Sequence, residues 1–264
     1  MAKPGTAGHI GVMLSRFFGR RPSPRAAPEA PSGTRIYAIG DIHGCDVLLE
    51  RLHGLIRADA ADADSLRKVI VYLGDYVDRG EGSRRVIDML VAGPPPGFEA
   101  VYLCGNHEEM TLSFLEDSAI APMWMMNGGN ATLYSYGVRF GDAATPEARY
   151  FAMQKAFRAA LPESHLDFLR GLAPYYVEGD YLFVHAGVAP GRPLEEQQRQ
   201  DLLWIRDEFL DSSADHGYCV VHGHSIVDEP DQRPNRIAID TGAYYSGTLT
   251  CLVLEGDERR FLHS

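Results

Sequence analysis

The sequence predicts an α/β fold, and three observations carry that expectation. Short β-type runs recur along the chain, each ending in Gly, Asp, Asn or His. Helix-spaced segments separate the first three of them. The runs are apolar along their length instead of alternating, the pattern of strands covered on both faces. The order strand, helix, strand, helix, strand implies right-handed crossover units.

The first run, "RIYAIGDIHG" (35–44), leads into "VLLERLHGLI" (47–56), where Leu48, Leu49, Leu52, Leu55 and Ile56 recur at helical spacing. "KVIVYLGDYVDRG" (68–80) sets Asp75, Asp78 and Arg79 at the tip of an apolar run. "SRRVIDMLV" (83–91) follows, with Ser83 placed to cap a helix that buries Val86, Ile87, Leu90 and Val91. "FEAVYLCGNHE" (98–108), "YLFVHAG" (181–187), "YCVVHGHS" (218–225) and "RIAIDTG" (236–242) complete the set. In sheets of this kind ligands gather beyond the carboxyl ends of the strands. Charge at a strand tip is there held by a rigid element and free to meet other tips.

Composition sets the limits. The chain has 264 residues, 45% hydrophobic and 23% charged, an ordinary globular balance. No apolar stretch is long enough to span a bilayer. Cys45, Cys104, Cys219 and Cys251 are scattered and form no C-x-x-C pair, which suits a reducing, cytoplasmic setting and argues against a thiolate zinc site. The net charge of −11 is uneven: residues 1–35 carry six cations against Glu29 alone, a net of +5, which leaves −16 on the rest. An acidic body is a poor match for a nucleic-acid backbone.

Residues 1–34 read as a separate basic tail rich in Pro, Ala and Arg, and residues 35–264 as one catalytic domain. "RRPSPRAAPEAPSG" (20–33) has the composition of a disordered linker. "IGVMLSRFFGRR" (10–21) leaves two further readings for the tail: an arm that contacts a membrane or an acidic partner, and a transit peptide.

The polar residues at the tips are Asp41, His43, Asp75, Asp78, Arg79, Asn106, His107, His185, His224 and Asp240. Carboxylates, imidazoles and an amide oxygen suit divalent metals of borderline to hard character. One ion needs only three or four protein ligands, so two ions sharing a carboxylate is the economical arrangement. Such a pair, about 3.5–4 Å apart, clamps a phosphoryl group. Singly, each piece has a bland reading: an Asx turn, a surface ion pair, a satisfied core histidine. Together, five strand ends supplying metal-type ligands favour a metal site.

"GDIHG" (40–44), "GDYVDRG" (74–80) and "GNHE" (105–108), in that order, resemble the signature of the phosphoprotein phosphatase family of calcineurin-like metallophosphoesterases. "FVHAG" (183–187) and "HGHS" (222–225) resemble its later histidine motifs; "DLLWIRDEFL" (201–210) and "DTGAYYSGTLTCL" (240–252) resemble its bacterial branch. The resemblance implies two mixed β-sheets packed face to face with flanking helices and a dinuclear metal site at the strand ends. Asp41 and His43 would bind one metal, Asp75 would bridge, and Asn106, His185 and His224 would bind the other. Mn²⁺ is the expected activating ion, with Fe or Zn as alternatives. A metal-bridging hydroxide would attack phosphorus directly, Arg79 and Arg206 would hold phosphate oxygens, and His107, oriented by Asp78, would protonate the leaving group.

The implied activity is a metal-dependent phosphomonoesterase acting on phosphoproteins, on Ser/Thr by family default with Tyr open. The alternatives are a bis(5'-nucleosyl)-tetraphosphatase or other small-molecule phosphoesterase, and, outside catalysis, a phosphate-binding scaffold with an inactive site. A nuclease fits less well, since Ile226 stands where that class favours a second histidine. Many family members carry Arg before "GNHE"; here Cys104 stands there, as a small strand residue or an oxidation-sensitive thiol. "APMWMMNGGN" (121–130) reads as a packed inserted helix, with a lid or peptide-contacting surface as the alternative, and Tyr244 and Tyr245 are placed to lean over the site.

Overall fold

A computed structural model describes residues 27–63, 65–139, 141 and 143–264. Three parallel strands, β1 (Thr34–Ile39), β2 (Arg67–Tyr72) and β3 (Glu99–Tyr102), are linked by α1 (Asp46–Asp59) and α2 (Ser83–Val91), the crossover pattern the sequence predicts. Four helices follow β3 without an intervening strand beyond α3 (Asn106–Glu116): α4 (Ala121–Met126), α5 (Gly129–Ser135), α6 (Pro146–Ala160) and α7 (Glu163–Arg170). The second half supplies β4 (Tyr175–Glu178), β5 (Tyr181–Val184), α8 (Arg199–Trp204), α9 (Asp207–Leu210), β6 (Cys219–His222), β7 (Asp231–Gln232) and β8 (Arg236–Ala238). It then returns through α10 (Ala243–Ser246), β9 (Thr250–Glu255) and β10 (Glu258–His263).

The strands form two mixed sheets, in the orders β10-β9-β1-β2-β3 and β4-β5-β6-β8-β7. The chain's closing strands join the first sheet: β9 lies antiparallel to β1, with Tyr37 opposite Val253. Ile36, Ala38, Val69 and Val71 of one sheet pack with Phe183, Val221 and Ile237 of the other in a shared core. The opposite faces are covered by helices: Tyr37, Ile39, Ile70 and Tyr72 meet Leu49, Leu52, Val86 and Ile87, while Leu182, Val184 and Val220 meet Leu202 and Phe209. Both faces of β1 and of the inner strands are therefore buried, which is why these runs are apolar at every position. A separate aromatic core built on Phe114, Trp124 and Phe157 holds the helical insertion together.

Several local expectations shift. Leu55 and Val91 are exposed, because each sits at the rim of its helix's apolar stripe. Ser83 does not cap α2. It lies inside the first turn, buried, and its hydroxyl accepts the Asp78 amide at 3.1 Å. Residues 29–34, placed with the tail by composition, are joined to the body: the Ala30 amide donates to Gly256 O at 2.8 Å and the Asp180 amide to Glu29 O at 3.1 Å. The readings of residues 1–26 lie outside the described residues. Among the described residues no helix is long and apolar enough to cross a membrane.

One buried histidine gives the fold a pH dependence. His53 of α1 lies 2.9 Å from the Tyr72 hydroxyl, and burial, reinforced by Arg57, lowers its pKa to about 4. The folded state therefore binds this proton less readily than the unfolded chain, whose histidine titrates near ~6.5. Its contribution is fully present above that value and is lost as pH falls toward 4, by at most about 1.4 kcal/mol per pH unit. Urea unfolding at pH 7 and 4.5 checks this: His53→Gln should lose less stability on acidification than the wild type.

Candidate active site

The carboxyl ends of the parallel strands in both sheets open onto one edge. Asp41 and His43 follow β1; Asp75, Asp78 and Arg79 follow β2; Asn106 and His107 open α3 just after β3. From the second sheet His185 follows β5, His224 follows β6 and Asp240 follows β8. Backbone bonds tie the loops together. The Ile42 and His43 amides donate to Asp75 O at 3.0 and 2.8 Å, the Gly80 amide to His43 O at 3.0 Å, and the Gly223 amide to His185 O at 2.8 Å.

His43, Asp75, Asp78, Arg79 and His224 adopt left-handed backbone, and among the described residues no other non-glycine side chain does. Each such residue costs on the order of 1–2 kcal/mol. Strain this concentrated marks a place where side-chain aim overrides local backbone preference.

The side chains converge on Asp75. His43 Nε2 lies 3.5 Å from Asp75 Oδ2, and His185 Nε2 lies 3.4 Å from Oδ1. The two carboxylate oxygens thus face two separate groups, His43 with His107 and His185 with His224, each compact enough to share a cation with Asp75. The ring nitrogens facing away are fixed: His43 Nδ1 lies 2.9 Å from Val77 O and His185 Nδ1 lies 3.0 Å from Leu73 O. A carbonyl acceptor at Nδ1 assigns the proton there and leaves Nε2 as a free lone pair. Asn106 Oδ1 sits 2.9 Å from both His185 Nε2 and His224 Nδ1.

Asp41 stands outside these two groups. Its Oδ2 accepts the His224 amide at 3.0 Å, while its Oδ1 and His224 Nε2 are buried with no hydrogen-bond partner. Gly223 is obligatory beside it, since a Cβ there would run into Asp41 Oδ1.

Electrostatics sort these groups. Burial, then Asp240 and Asp75, hold the Asp41 carboxyl well above the usual range. Burial also drives Asp240 up, to about 6. Burial lowers His43 to about 3, and it lowers His185 and His224 as well, leaving neutral imidazoles. His107 departs from its neighbours: burial opposes its charge, but Asp75 and then Asp78 outweigh burial and raise its pKa. Orphaned buried acceptors, crowded carboxylates and neutral imidazoles with aimed lone pairs are the donor set that divalent cations fit.

His107 Nδ1 lies 2.7 Å from Asp78 Oδ2, and its other nitrogen is 3.5 Å from Arg79 Nη2. The Arg79 guanidinium stacks 4.7 Å from the Tyr244 ring centroid, and Tyr244 meets the His43 ring edge-on at 5.5 Å. Arg206 stands on the other flank, donating to Ser225 Oγ at 3.1 Å. Every predicted site residue thus reaches this edge.

Two features escaped sequence reasoning. Glu108, quoted within "GNHE" but given no role, accepts the amides of Asp75, Gly105, Tyr76 and Val77 at 2.8, 2.9, 2.7 and 3.3 Å. Burial and then Asp75 push its pKa up. All four partners are donors, however, so a protonated Glu108 would aim its hydrogen at another hydrogen, and the geometry holds a carboxylate. The motif offered the signal: a Glu three residues after Gly105 closes a capping box on α3. Arg199 is the second feature. Its Nη2 lies 3.3 Å from Cys104 Sγ, which brings a cation from α8 to the place where sequence showed one missing. Cys104 is buried, and burial, then Glu108, push its thiol up to about 12, the state of an inert packing residue.

A family model described as calcineurin-like phosphoesterase matches residues 34–247. A serine/threonine-protein phosphatase 2 of Salmonella typhimurium is 30% identical over 230 residues, spanning 81% of this chain and 90% of that protein. An asymmetrical bis(5'-nucleosyl)-tetraphosphatase of Anoxybacillus flavithermus is 27% identical over 228 residues, spanning 81% of this chain and 88% of its own. A cold-active protein tyrosine phosphatase shares the fold with a TM-score of 0.53 at 15% identity, over 90% of this chain and 81% of its own.

Glu108→Gln places an NH₂ group against amide donors that now face oxygen. It should destabilise the chain by at least about 2 kcal/mol, read as a lower urea midpoint at an unchanged m-value.

Proposed function

Since the chain belongs to the calcineurin-like phosphoesterases, we propose that it is a metal-dependent phosphomonoesterase that dephosphorylates phosphoproteins at serine and threonine. The observation that carries this reading is the His107–Asp78 pair, 2.7 Å apart, set directly beside the Asp75-centred donor cluster. Asp41, His43 and Asp75 would hold one divalent cation, and Asp75, Asn106, His185 and His224 a second; Mn²⁺ is the expected activating ion, with Fe or Zn as alternatives. Bound there, the pair supplies an activated water and offsets phosphoryl charge.

The chain's own residues do the rest. Arg79 and Arg206 flank the cluster, and their planar forks suit phosphate oxygens. Tyr244 stacks on the Arg79 guanidinium and limits its swing. His107 carries its proton toward the leaving oxygen as the phosphorus–oxygen bond breaks. Asp78 keeps the ring turned and favours its charged form. The Salmonella serine/threonine phosphatase, matched over nine-tenths of its length, supports a protein substrate.

A second reading has its own support. The Anoxybacillus relative is named for a dinucleoside tetraphosphate, matched over a similar span. Phosphoserine, phosphothreonine and phosphotyrosine peptides and diadenosine tetraphosphate, assayed in parallel with Mn²⁺, separate the readings. The phosphoserine and phosphothreonine peptides should be turned over with the highest kcat/KM, and a preference for the dinucleotide would replace the first reading with the second.

Two variants test the assigned roles. Asp75→Ala should abolish p-nitrophenyl phosphate hydrolysis and also lose bound metal; retention of two ions by elemental analysis would remove Asp75 as the shared ligand. His107→Asn should keep its metal yet lose about 10²–10⁴-fold in kcat on phenyl phosphate. The loss should be smaller on p-nitrophenyl phosphate, whose leaving group needs less protonation, and equal losses would exclude the acid role.

A further inference from the structure

The helical insertion that sequence reads as packing or as a lid reaches the Asp78–Arg79 turn through three residues. Trp124 of α4 is fully buried, and its Nε1–H donates to Asp78 Oδ2 at 2.8 Å, the same oxygen that faces His107 Nδ1 at 2.7 Å. Thr132 of α5 donates its hydroxyl to the other oxygen, Asp78 Oδ1, at 2.6 Å and accepts the Asp78 amide at 2.8 Å. Between them, Gly128 O accepts the Arg79 amide at 3.2 Å. Gly128 itself has φ +96°, and a Cβ there would lie 2.8 Å from the Arg79 amide nitrogen.

These contacts fall on two consecutive left-handed residues, with φ of 72° at Asp78 and 67° at Arg79. An aspartate's terminal torsion is broad and roughly two-fold, so a carboxylate keeps one orientation only through what its oxygens bond. The indole cannot drift either. It packs 4.7 Å from the Phe114 ring centroid and 5.8 Å from that of Phe157.

We propose that Trp124 and Thr132 are positioning residues for the proton donor: they lock the Asp78 carboxylate, and through it the His107 ring, in the orientation that faces the leaving oxygen. This rests on the reading of His107 as the acid. In the step concerned the bonding pair of the phosphorus–oxygen ester leaves with the oxygen, which takes the proton from His107. The attacking water delivers its oxygen to phosphorus and releases a proton to solvent, from which the ring is reprotonated for the next turnover. Neither Trp124 nor Thr132 touches substrate, so each acts only through Asp78.

The test uses the full chain with Mn²⁺ and compares Trp124→Phe, Thr132→Val and His107→Asn on phenyl phosphate and p-nitrophenyl phosphate. Phenylalanine keeps an aromatic ring among Phe114 and Phe157 but removes the N–H; valine keeps the shape of threonine but removes the hydroxyl. Both variants should lose about tenfold or more in kcat on phenyl phosphate. On p-nitrophenyl phosphate they should lose less than about threefold. A merely structural role would lower both rates together.

A second measurement does not depend on turnover. Proton and ¹⁵N spectra of the metal-free full chain should show the His107 Nδ1–H far downfield and slow to exchange in the wild type, the mark of an N–H held on a carboxylate, and shifted or broadened in either variant. Equal losses on the two substrates, or unchanged spectra, while His107→Asn still separates them, would overturn this proposal alone. A His107→Asn variant that fails to separate the substrates would overturn the acid reading beneath it. Should Trp124→Phe not fold, Thr132→Val and the wild-type spectrum decide.

Discussion

Three aspartates, Asp41, Asp75 and Asp240, are buried at one sheet edge within range of each other's charge, and the rest of the structure is arranged around their repulsion. Burying one unpaired carboxylate is costly, and burying three together is worse. Among the described residues the histidines, Arg79 and the amides of His224, His107 and Gly242 offset them in part. The histidines do so incompletely, since burial keeps three of the four neutral. A fold that keeps such a cluster is built to receive positive charge from outside. The two oxygens of Asp75 each face their own imidazole, so the cluster has two sides.

Holding the cluster requires backbone that L-residues resist, and the fold supplies the restraint from several directions. Glu108 gathers four amides from the Asp75 and Gly105 loops onto one side chain, so β2 and β3 present their tips as a single unit. The helical insertion clamps the next turn along. Behind both lies the apolar packing of two sheets, which fixes the strand ends against one another. His185 and His224 therefore arrive from the second sheet without any local sequence link to Asp75.

Much of this was legible in the sequence for a physical reason. The residues gathered at this edge are polar groups stranded at the ends of apolar runs, and their type declares the chemistry they could support. Asp41, His43, Asp75, Asn106, His185 and His224 all stood out in that way. The supporting residues did not, because their types have ordinary uses. Glu108 reads as a helix-start carboxylate, Ser83 as a cap and Trp124 as core; only the three-dimensional contacts reveal that each grips a strained loop. Helix boundaries and rims were the weaker part of the fold reading. Apolar Leu55 and Val91 match the helical period yet lie at the edge of the buried stripe, a distinction that depends on how wide a face the neighbouring sheet covers.

The same contacts bear on which bond this site is made to break. A phosphate anhydride expels a phosphate that is stable as an anion near neutral pH, and protonation of that leaving group gains little. An alkyl ester expels an alkoxide, which departs readily only when it receives a proton. In this chain His107, Asp78, Trp124 and Thr132, drawn from three separate segments, form one buried chain of hydrogen bonds whose outer end is an imidazole held toward its charged form. If His107 is the acid proposed above, such a chain would serve esters with poor leaving groups, phosphoserine and phosphothreonine among them, more than anhydrides.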